Sequence, residues 1–571
     1  MTFPLKRSVL FSLSLTLSAC SGGSFETKDV KVDNDSKPAP KVWKDETSQP
    51  RQTPKQVEGI MQPALGYEMA IPRRNVSPFD KDGNRIPDGK HAEEEVALSA
   101  DNVKAIAGDP KQIPHQDEMP SDYYASLKDK ANNFEFVHAG YVYDPASRLI
   151  ERNNGKITTF RQGANGYVYY QGVNPATELP VGKTATYQGS WAYVTDAKRG
   201  REGRELGFDD SRATDRYGAV SSMADVESQQ SEFQADFANK KLTGTLKETL
   251  RVTEVQKNKE KVRYTLEADI VGNRFRGSAK AAQPDDAIFG SGSSLLEGGF
   301  YGDQAQELGG KFLANDNSLF AVFSGKQSNV VPTETVFDAK IINQQSPKST
   351  PQNLTTFGDV TTLLVDNQKI PLYPAEKGFV LTTTSGEIGA NICCRNLDNV
   401  RFGTLTKQGN TQFFLQGERT PTAHIPQTGQ AYYQGTWDAY ISGKSEWSTS
   451  ASNAEAGSKA QFNVDFANKT IEGKLIGEDR LSPTFSINGK LEKNGFVGEA
   501  KTGEKGFSLD PHNTQDSKIV HIKSEVRGGF YGNNAQELGG TFSGNHSGYA
   551  NENNHIDFGV VFGAKRQVKN Q

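Results

Sequence analysis

Apolar and polar residues alternate with a period of two in several short runs along this chain. Phe233, Ala235 and Phe237 are separated by polar residues, as are Phe462, Val464 and Phe466. That period marks strands with one buried face, and the Ala-Asn-Lys that follows each run predicts a hairpin turn. Phe485-Ser-Ile-Asn-Gly489 and Phe496-Val-Gly-Glu-Ala500 continue the pattern. The strand signals in 181–326 and 426–566 are numerous enough for one closed antiparallel barrel each. Shorter signals such as Gly140-Tyr-Val-Tyr143 and Gln412-Phe-Phe-Leu415 predict small accessory sheets in 59–180 and 354–425. The Pro/Ser/Gln-rich stretch 343–353 is expected to join the two halves.

The halves are related by duplication. Gly298-Gly-Phe-Tyr-Gly-Asp-Gln-Ala-Gln-Glu-Leu-Gly-Gly310 recurs, with two changes, as Gly528-Gly-Phe-Tyr-Gly-Asn-Asn-Ala-Gln-Glu-Leu-Gly-Gly540. Such self-similarity over a long offset means two lobes of one design. Residues 180–191 answer 426–437, both ending in Tyr-Gln-Gly-Ser/Thr-Trp, and Phe233–Gly244 answers Phe462–Gly473. The offset is 246 at Trp191 and Trp437 but 229 at Phe233 and Phe462, so the first lobe carries 17 extra residues between these points. That excess is charged, Asp196-Ala-Lys-Arg-Gly-Arg-Glu-Gly-Arg-Glu205, where the second lobe has Ser, Ala and Gly. Shared strands with unlike loops predict one scaffold carrying different surfaces.

Composition narrows the class. With 56 Gly, 31 Phe and 19 Tyr the chain favours strands and turns over helices. A net charge of -4 over 571 residues lacks the basic excess of a nucleic-acid binder. At the start, Lys6 and Arg7 precede the apolar stretch 9–17, a secretory signal too short to span a bilayer. Leu17-Ser-Ala-Cys20 resembles the bacterial lipoprotein box, which implies cleavage before Cys20 and acylation of that cysteine. The polar, Lys/Asp/Ser/Pro-rich segment after it reads as a flexible tether spanning ~35 Å on average. Cys393 and Cys394 are adjacent; a closed ring and two free thiols are both open to them, and without neighbouring His or Cys they make no metal site.

Catalytic signatures are missing. Gly182-Lys-Thr184 resembles the end of a phosphate loop, but position 177 is threonine and a strand follows. No His-Glu-Xaa-Xaa-His or Gly-Xaa-Ser-Xaa-Gly occurs. Asp80-Lys-Asp-Gly-Asn84 lacks the later glycine and glutamate of a calcium loop and reads as a tight polar turn. Glu307 and Glu537, repeated in both lobes without a partner base, predict a structural role within a strand connection.

The Leu17-Ser-Ala-Cys20 box and tether, the two Tyr-Gln-Gly-Ser/Thr-Trp strands and the two Gly-Gly-Phe-Tyr-Gly…Glu-Leu-Gly-Gly segments together resemble the transferrin-binding protein B family of surface lipoproteins. The resemblance implies an all-β protein of two homologous lobes, each an antiparallel eight-stranded β-barrel preceded by a smaller β-rich handle. The implied plan is a signal peptide over 1–19, a tether over 20–57, a first handle over 58–180 and its barrel over 181–330. A linker and second handle follow over 331–425, then the second barrel over 426–571. It implies capture of iron-loaded host transferrin at the outer membrane and its presentation to a separate TonB-dependent receptor. The attachment is through lipid on Cys20 alone, with no enzyme activity, no other cofactor, no metal ligands and no nucleic acid. Lactoferrin-binding relatives typically carry long acidic runs in the second lobe; here the densest, Glu93-Glu-Glu95, lies in the first, which favours transferrin. Rival readings are another host-protein binder, a purely structural envelope protein or a barrel holding a small ligand.

Expected contacts lie in the first lobe. Phe160 to Tyr170 reads as a hairpin with a Gly-rich tip; if Val168 and Tyr170 face the core, Tyr167 and Tyr169 face outward beside Arg161. Tyrosine and arginine supply large contact area with a polar end. Lys198, Arg199, Arg201 and Arg204 in the charged insertion complete the set, the alternative being a solvated loop and packed tyrosines.

Overall fold

The computed structural model describes residues 43–47, 65–71, 75–84, 86, 98–126, most of 134–195, 226–250 and most of 259–569. Two closed barrels dominate it. The first runs through Thr184–Thr195, Val226–Asp236, Lys241–Leu250, Lys259–Val271, Arg274–Ala281, Ser293–Tyr301, Glu307–Leu313 and Leu319–Gln327. Its seam closes where the last strand pairs with the first, placing Phe323 opposite Trp191. The second barrel closes in the same way, with Phe562 of His555–Lys569 opposite Trp437 of Gln430–Ser442. Alternation puts Tyr187, Trp191, Phe233, Ala235, Leu242 and Phe323 inside the first barrel, and Tyr433, Trp437, Phe462, Val464, Ile471 and Phe562 inside the second. Both interiors are filled with side chains. The expected hairpin turns are present: Asp236 and Lys241 bracket one, and Asp465 and Thr470 the other.

Each barrel carries a handle sheet on its outer wall. In the first lobe the handle is built on a long ribbon, Val137–Asn153 paired with Lys156–Gly172, flanked by Gly66–Ile71. One face of this sheet, with Met69, Ala139, Val168 and Tyr170, packs on Ala192, Val194, Phe320 and Val322 of the barrel. Leu319–Gln327 is therefore buried on both faces over most of its length, which explains its continuous apolar run. The second handle, ordered from Gln352–Asn353 through Phe337–Asn343 to Gly378–Thr383, packs Ile342, Phe402, Phe413 and Leu415 against Val561.

Two expectations about connections are corrected. The stretch 343–353 does not join the lobes: Phe337–Asn343 already pairs with Asn410–Glu418, and Gln352 returns to pair with Ile341. The lobes are joined earlier, where Glu334–Thr335 pairs with Glu178–Leu179. The tether is also not wholly flexible. Trp43–Asp45 adds as a strand to the end of His555–Lys569, with Glu46 ion-paired to Arg566 at 2.6 Å and Trp43 against Tyr432. The backbone pairing of Trp43–Asp45 covers this part of the strand edge, and Asp45 accepts side-chain bonds from Gln567 at 2.7 Å and Asn396 at 2.9 Å. Cys393 and Cys394 are joined as a disulfide.

The repeated segment is the joint between barrel and handle. Tyr301 and Glu307 face each other across adjacent strands, as do Tyr531 and Glu537. The Glu307 carboxylate accepts the backbone N–H groups of Glu135, Phe136 and Val137 at 2.8, 2.7 and 2.9 Å. Glu537 accepts those of Asp398, Asn399 and Val400 at 2.7, 2.9 and 3.2 Å. Burial pushes both carboxyls above their usual range, while these donors pull the other way. The expected structural role is met, but over long range instead of within one strand connection. Gly309 belongs to the same joint, because a Cβ there would run into the Val137 side chain.

A second buried acid behaves differently. Asp438 in the second barrel is buried and accepts Ala451 N–H at 2.6 Å; burial pushes its carboxyl up to about 6. A raised folded value means that its stabilising effect is complete below the unfolded value near ~3.9 and is lost as pH rises through about 6. Asp438→Asn is expected to stabilise the second lobe by on the order of 2 kcal/mol at pH 8, the gain vanishing near pH 4. Denaturant titrations at both pH values measure this, and a gain independent of pH would contradict it.

Candidate functional site

The outward part of the first handle is the far end of its ribbon. Asn154 and Gly155 close the hairpin with φ of 50° and 84°, the paired left-handed conformation that an Asn-Gly turn adopts. Around this tip, Asn75–Pro78 adds a third strand opposite Gln162 to Thr159. The Asp80 loop lies beside it as the expected tight turn: Asp80 Oδ1 accepts the N–H groups of Asp82 and Asn84 at 2.8 and 2.9 Å. Leu149 and Ile150 are 38% and 47% exposed. Successive strand residues point to opposite faces, so among the described residues the ribbon here is partly exposed on both sides. Exposed branched aliphatic side chains on a rigid ribbon are the kind of surface that a protein partner covers.

Nearer the barrel, the outer face is covered by the segment 98–126. His115 in this segment is clasped between two carboxylates: Nε2 lies 2.7 Å from Glu68 Oε2 and Nδ1 lies 2.8 Å from Glu118 Oε1. Two such acceptors call for two N–H donors, which the protonated imidazole provides. Burial disfavours the charge, but the carboxylates outweigh it and hold the pKa above its ordinary value. Tyr167 stacks on the imidazole at 3.9 Å with rings inclined by 17°, and its hydroxyl donates to Glu118 at 3.3 Å.

The expected contact residues divide accordingly. Tyr167 faces outward and is half-buried, as the alternation required. Tyr169 is a correction. It is on the same face but fully buried with Ala125 and Val142, because 98–126 folds over it. The span 160–170 is also corrected: it is the middle of the strand Lys156–Gly172, and the turn lies earlier at Asn154-Gly155. Gly166 is not a turn residue; a Cβ there would meet the Val142 carbonyl and Tyr143 on the neighbouring strand. The backbone of Arg161 pairs with Leu149 and Val76, placing it within the tip. Cys20, Lys198, Arg199, Arg201 and Arg204 lie outside the described residues. Sequence reading missed Leu149 and Ile150, although two adjacent apolar residues in a strand must send one to each face.

Among the described residues, no group of three or more His, Cys, Asp or Glu side chains is placed to hold a metal ion. No described helix is long and apolar enough to cross a membrane.

Duplicated lobes, each a filled barrel whose outer wall carries a handle sheet, define a bilobal handle-and-barrel protein. The family descriptions agree part by part. N-lobe handle Tf-binding protein B matches residues 42–176, the C-lobe and N-lobe beta barrels of Tf-binding protein B match 179–327 and 425–566, and the C-lobe handle domain matches 334–420. The chain belongs to the transferrin-binding protein B family. It is 39% identical to transferrin-binding protein B of Neisseria meningitidis serogroup B, over 96% of each chain. It is 32% identical to that of Haemophilus influenzae, over 98% of each. The solved isotype 1 protein from serogroup B Neisseria meningitidis superimposes with a TM-score of 0.73 at 36% identity, covering 88% of this chain and 100% of that one. A variant of the Haemophilus parasuis Hp5 protein gives 0.74 at 34% identity, covering 92% and 100%.

Proposed function

We propose that this chain is a surface lipoprotein, held to the outer membrane through lipid on Cys20, that captures iron-loaded host transferrin. It then presents its cargo to a TonB-dependent outer-membrane receptor. The observation that carries this reading is membership in the transferrin-binding protein B family across both handles and both barrels, in a chain whose first handle exposes Leu149 and Ile150 near its tip. The protein works as a grip, and iron chemistry stays inside the partner. Leu149, Ile150, Tyr167 and the ribbon around Arg161 form the contact surface, to which the basic residues Lys198, Arg199, Arg201 and Arg204 of the charged insertion add positive charge.

Calorimetric titration of the full chain with iron-loaded and iron-free transferrin tests the reading. Tighter binding of the loaded form is expected, and no heat with either form would sink it. The double variant Leu149→Asp, Ile150→Asp is expected to weaken binding by about 100-fold or more, since charges would replace the apolar anchors. Both side chains are exposed, so the melting temperature should stay within a few degrees of wild type. An unchanged affinity would move the contact surface away from the tip.

A further inference from the structure

We infer that Glu307 is a positioning residue for capture: it sets the angle of the first handle on its barrel and thereby where the Leu149–Ile150 tip meets the partner. This rests on the capture reading above.

The Glu307 carboxylate is fully buried and grips three consecutive N–H groups at 135–137, where the chain begins the ribbon strand Val137–Asn153. Across the same barrel hairpin, Tyr301 donates its hydroxyl to the Leu65 carbonyl at 3.0 Å, just before Gly66–Ile71. One hairpin of the barrel thus holds the beginnings of two handle strands. In the second lobe the corresponding joint is reinforced by charge. Tyr531 donates to Asp338, which is ion-paired with Arg419, and buried Lys565 lies 3.7 Å from Glu537. In the first lobe Tyr301 meets the Leu65 carbonyl, a buried Lys311–Glu297 pair at 2.7 Å holds its ammonium over the Tyr67 ring of the handle, and the lysine beside Glu307, Lys326 at 3.7 Å, is 40% exposed. The cation beside Glu307 is thus far more solvated than the one beside Glu537, so the Glu307 grip rests more on its three N–H bonds.

The ribbon makes a small error at the joint large at the tip. Ile150 lies thirteen positions beyond Val137, a run of roughly 43 Å at ~3.3 Å per residue. A tilt of ~5° at the joint moves the tip by ~4 Å, more than a shape-matched contact tolerates. A handle that holds the binding angle for only a tenth of the time binds about ten times more weakly. The repeated glutamate then serves both lobes as a structural joint but matters for capture in one.

The test compares Glu307→Gln with Glu537→Gln in the full chain. The amide keeps the shape but turns an N–H group toward N–H donors, so backbone protons at the joint lose their acceptor. Amide exchange should quicken at 135–137 in the first variant and at 398–400 in the second, each with a lowered melting temperature. Transferrin affinity should fall about tenfold or more for Glu307→Gln and stay within about twofold for Glu537→Gln. A purely structural role would lower stability in both and affinity in neither. Glu307→Asp, which keeps the charge but retracts it, should give an intermediate affinity, and it carries the comparison if the amide variant does not fold. Affinity within twofold of wild type, with exchange at 135–137 accelerated, would overturn the inference. Wild-type protein that binds no transferrin would instead overturn the capture reading itself.

Discussion

Trp191→Ala is expected to destabilise the first lobe by about 3–5 kcal/mol, because it removes a large side chain that surrounding strands cannot collapse to replace. The ring is 2% exposed and donates its Nε1–H to the Lys247 carbonyl at 2.8 Å. It meets Tyr264 and Phe289 edge-on, with centroids 6.4 and 6.0 Å away, and lies 5.2 Å from Tyr193. Phe289 comes from the connection between Arg274–Ala281 and Ser293–Tyr301 and closes this end of the barrel from above. Its other side is covered by the Arg263 guanidinium at 4.3 Å, itself held by Glu248 at 2.6 Å and Asp286 at 2.9 Å. Loss of the indole would leave a cavity under this lid and an unpaired carbonyl in the wall. Trp191 also stands at the closing seam opposite Phe323, so the loss falls where the sheet becomes a barrel. Denaturant unfolding should show the first-lobe transition shifted and the second, built around Trp437, in place. A melting profile like wild type would refute the core placement.

The barrels were legible because their physics is local and doubled. Phe233, Ala235 and Phe237 announce a strand on their own, and Phe462, Val464 and Phe466 repeat the statement with different residues. Contacts between distant segments were not legible. Nothing near Tyr169 says that 98–126 will lie over it; period-two alternation fixes which face a side chain takes, not whether that face is wet. The turn at Asn154-Gly155 could have been read, since Asn-Gly is the strongest short hairpin signal, but the glycines at 163 and 166 drew the hairpin to the wrong place. Gly166 is there for close approach to the next strand. Trp43–Asp45 is three residues of strand inside polar surroundings, too short for any periodicity to show. Glu307 and Glu537 were rightly read as structural from their repetition, yet their partners lie more than 130 residues away in sequence. A buried carboxylate grip of that span leaves no trace in spacing.

Asp338→Ala should cost the second lobe about 3–5 kcal/mol, since it strands a buried cation without its counter-charge. Arg419 is 11% exposed at its side chain and Asp338 5%. The carboxylate is bonded by Arg419 through Nε and, at 3.1 Å, through a second guanidinium nitrogen, and it accepts the Tyr531 hydroxyl at 2.7 Å. Arg419 also donates to the Asn494 carbonyl at 3.1 Å, so each of its three guanidinium nitrogens is bonded where handle and barrel meet. Removing the acid leaves that fork held by its bond to Asn494, with its charge unpaired in a largely buried site. Asp338→Asn keeps the shape and one acceptor and should cost less, which separates the effect of charge from that of packing. The dependence on pH has a definite sign. Burial would raise the Asp338 pKa, but the Arg419 charge outweighs it and holds the carboxyl below its ordinary value. A lowered folded value makes the contribution complete above the unfolded value near ~3.9, and it is lost as pH falls through the folded one. The difference between wild type and Asp338→Ala should therefore be full at pH 7 and shrink below pH ~4. Calorimetry that resolves the two lobes at both pH values measures it. A second-lobe transition that Asp338→Ala leaves in place at pH 7 would mean the pair does not hold handle to barrel.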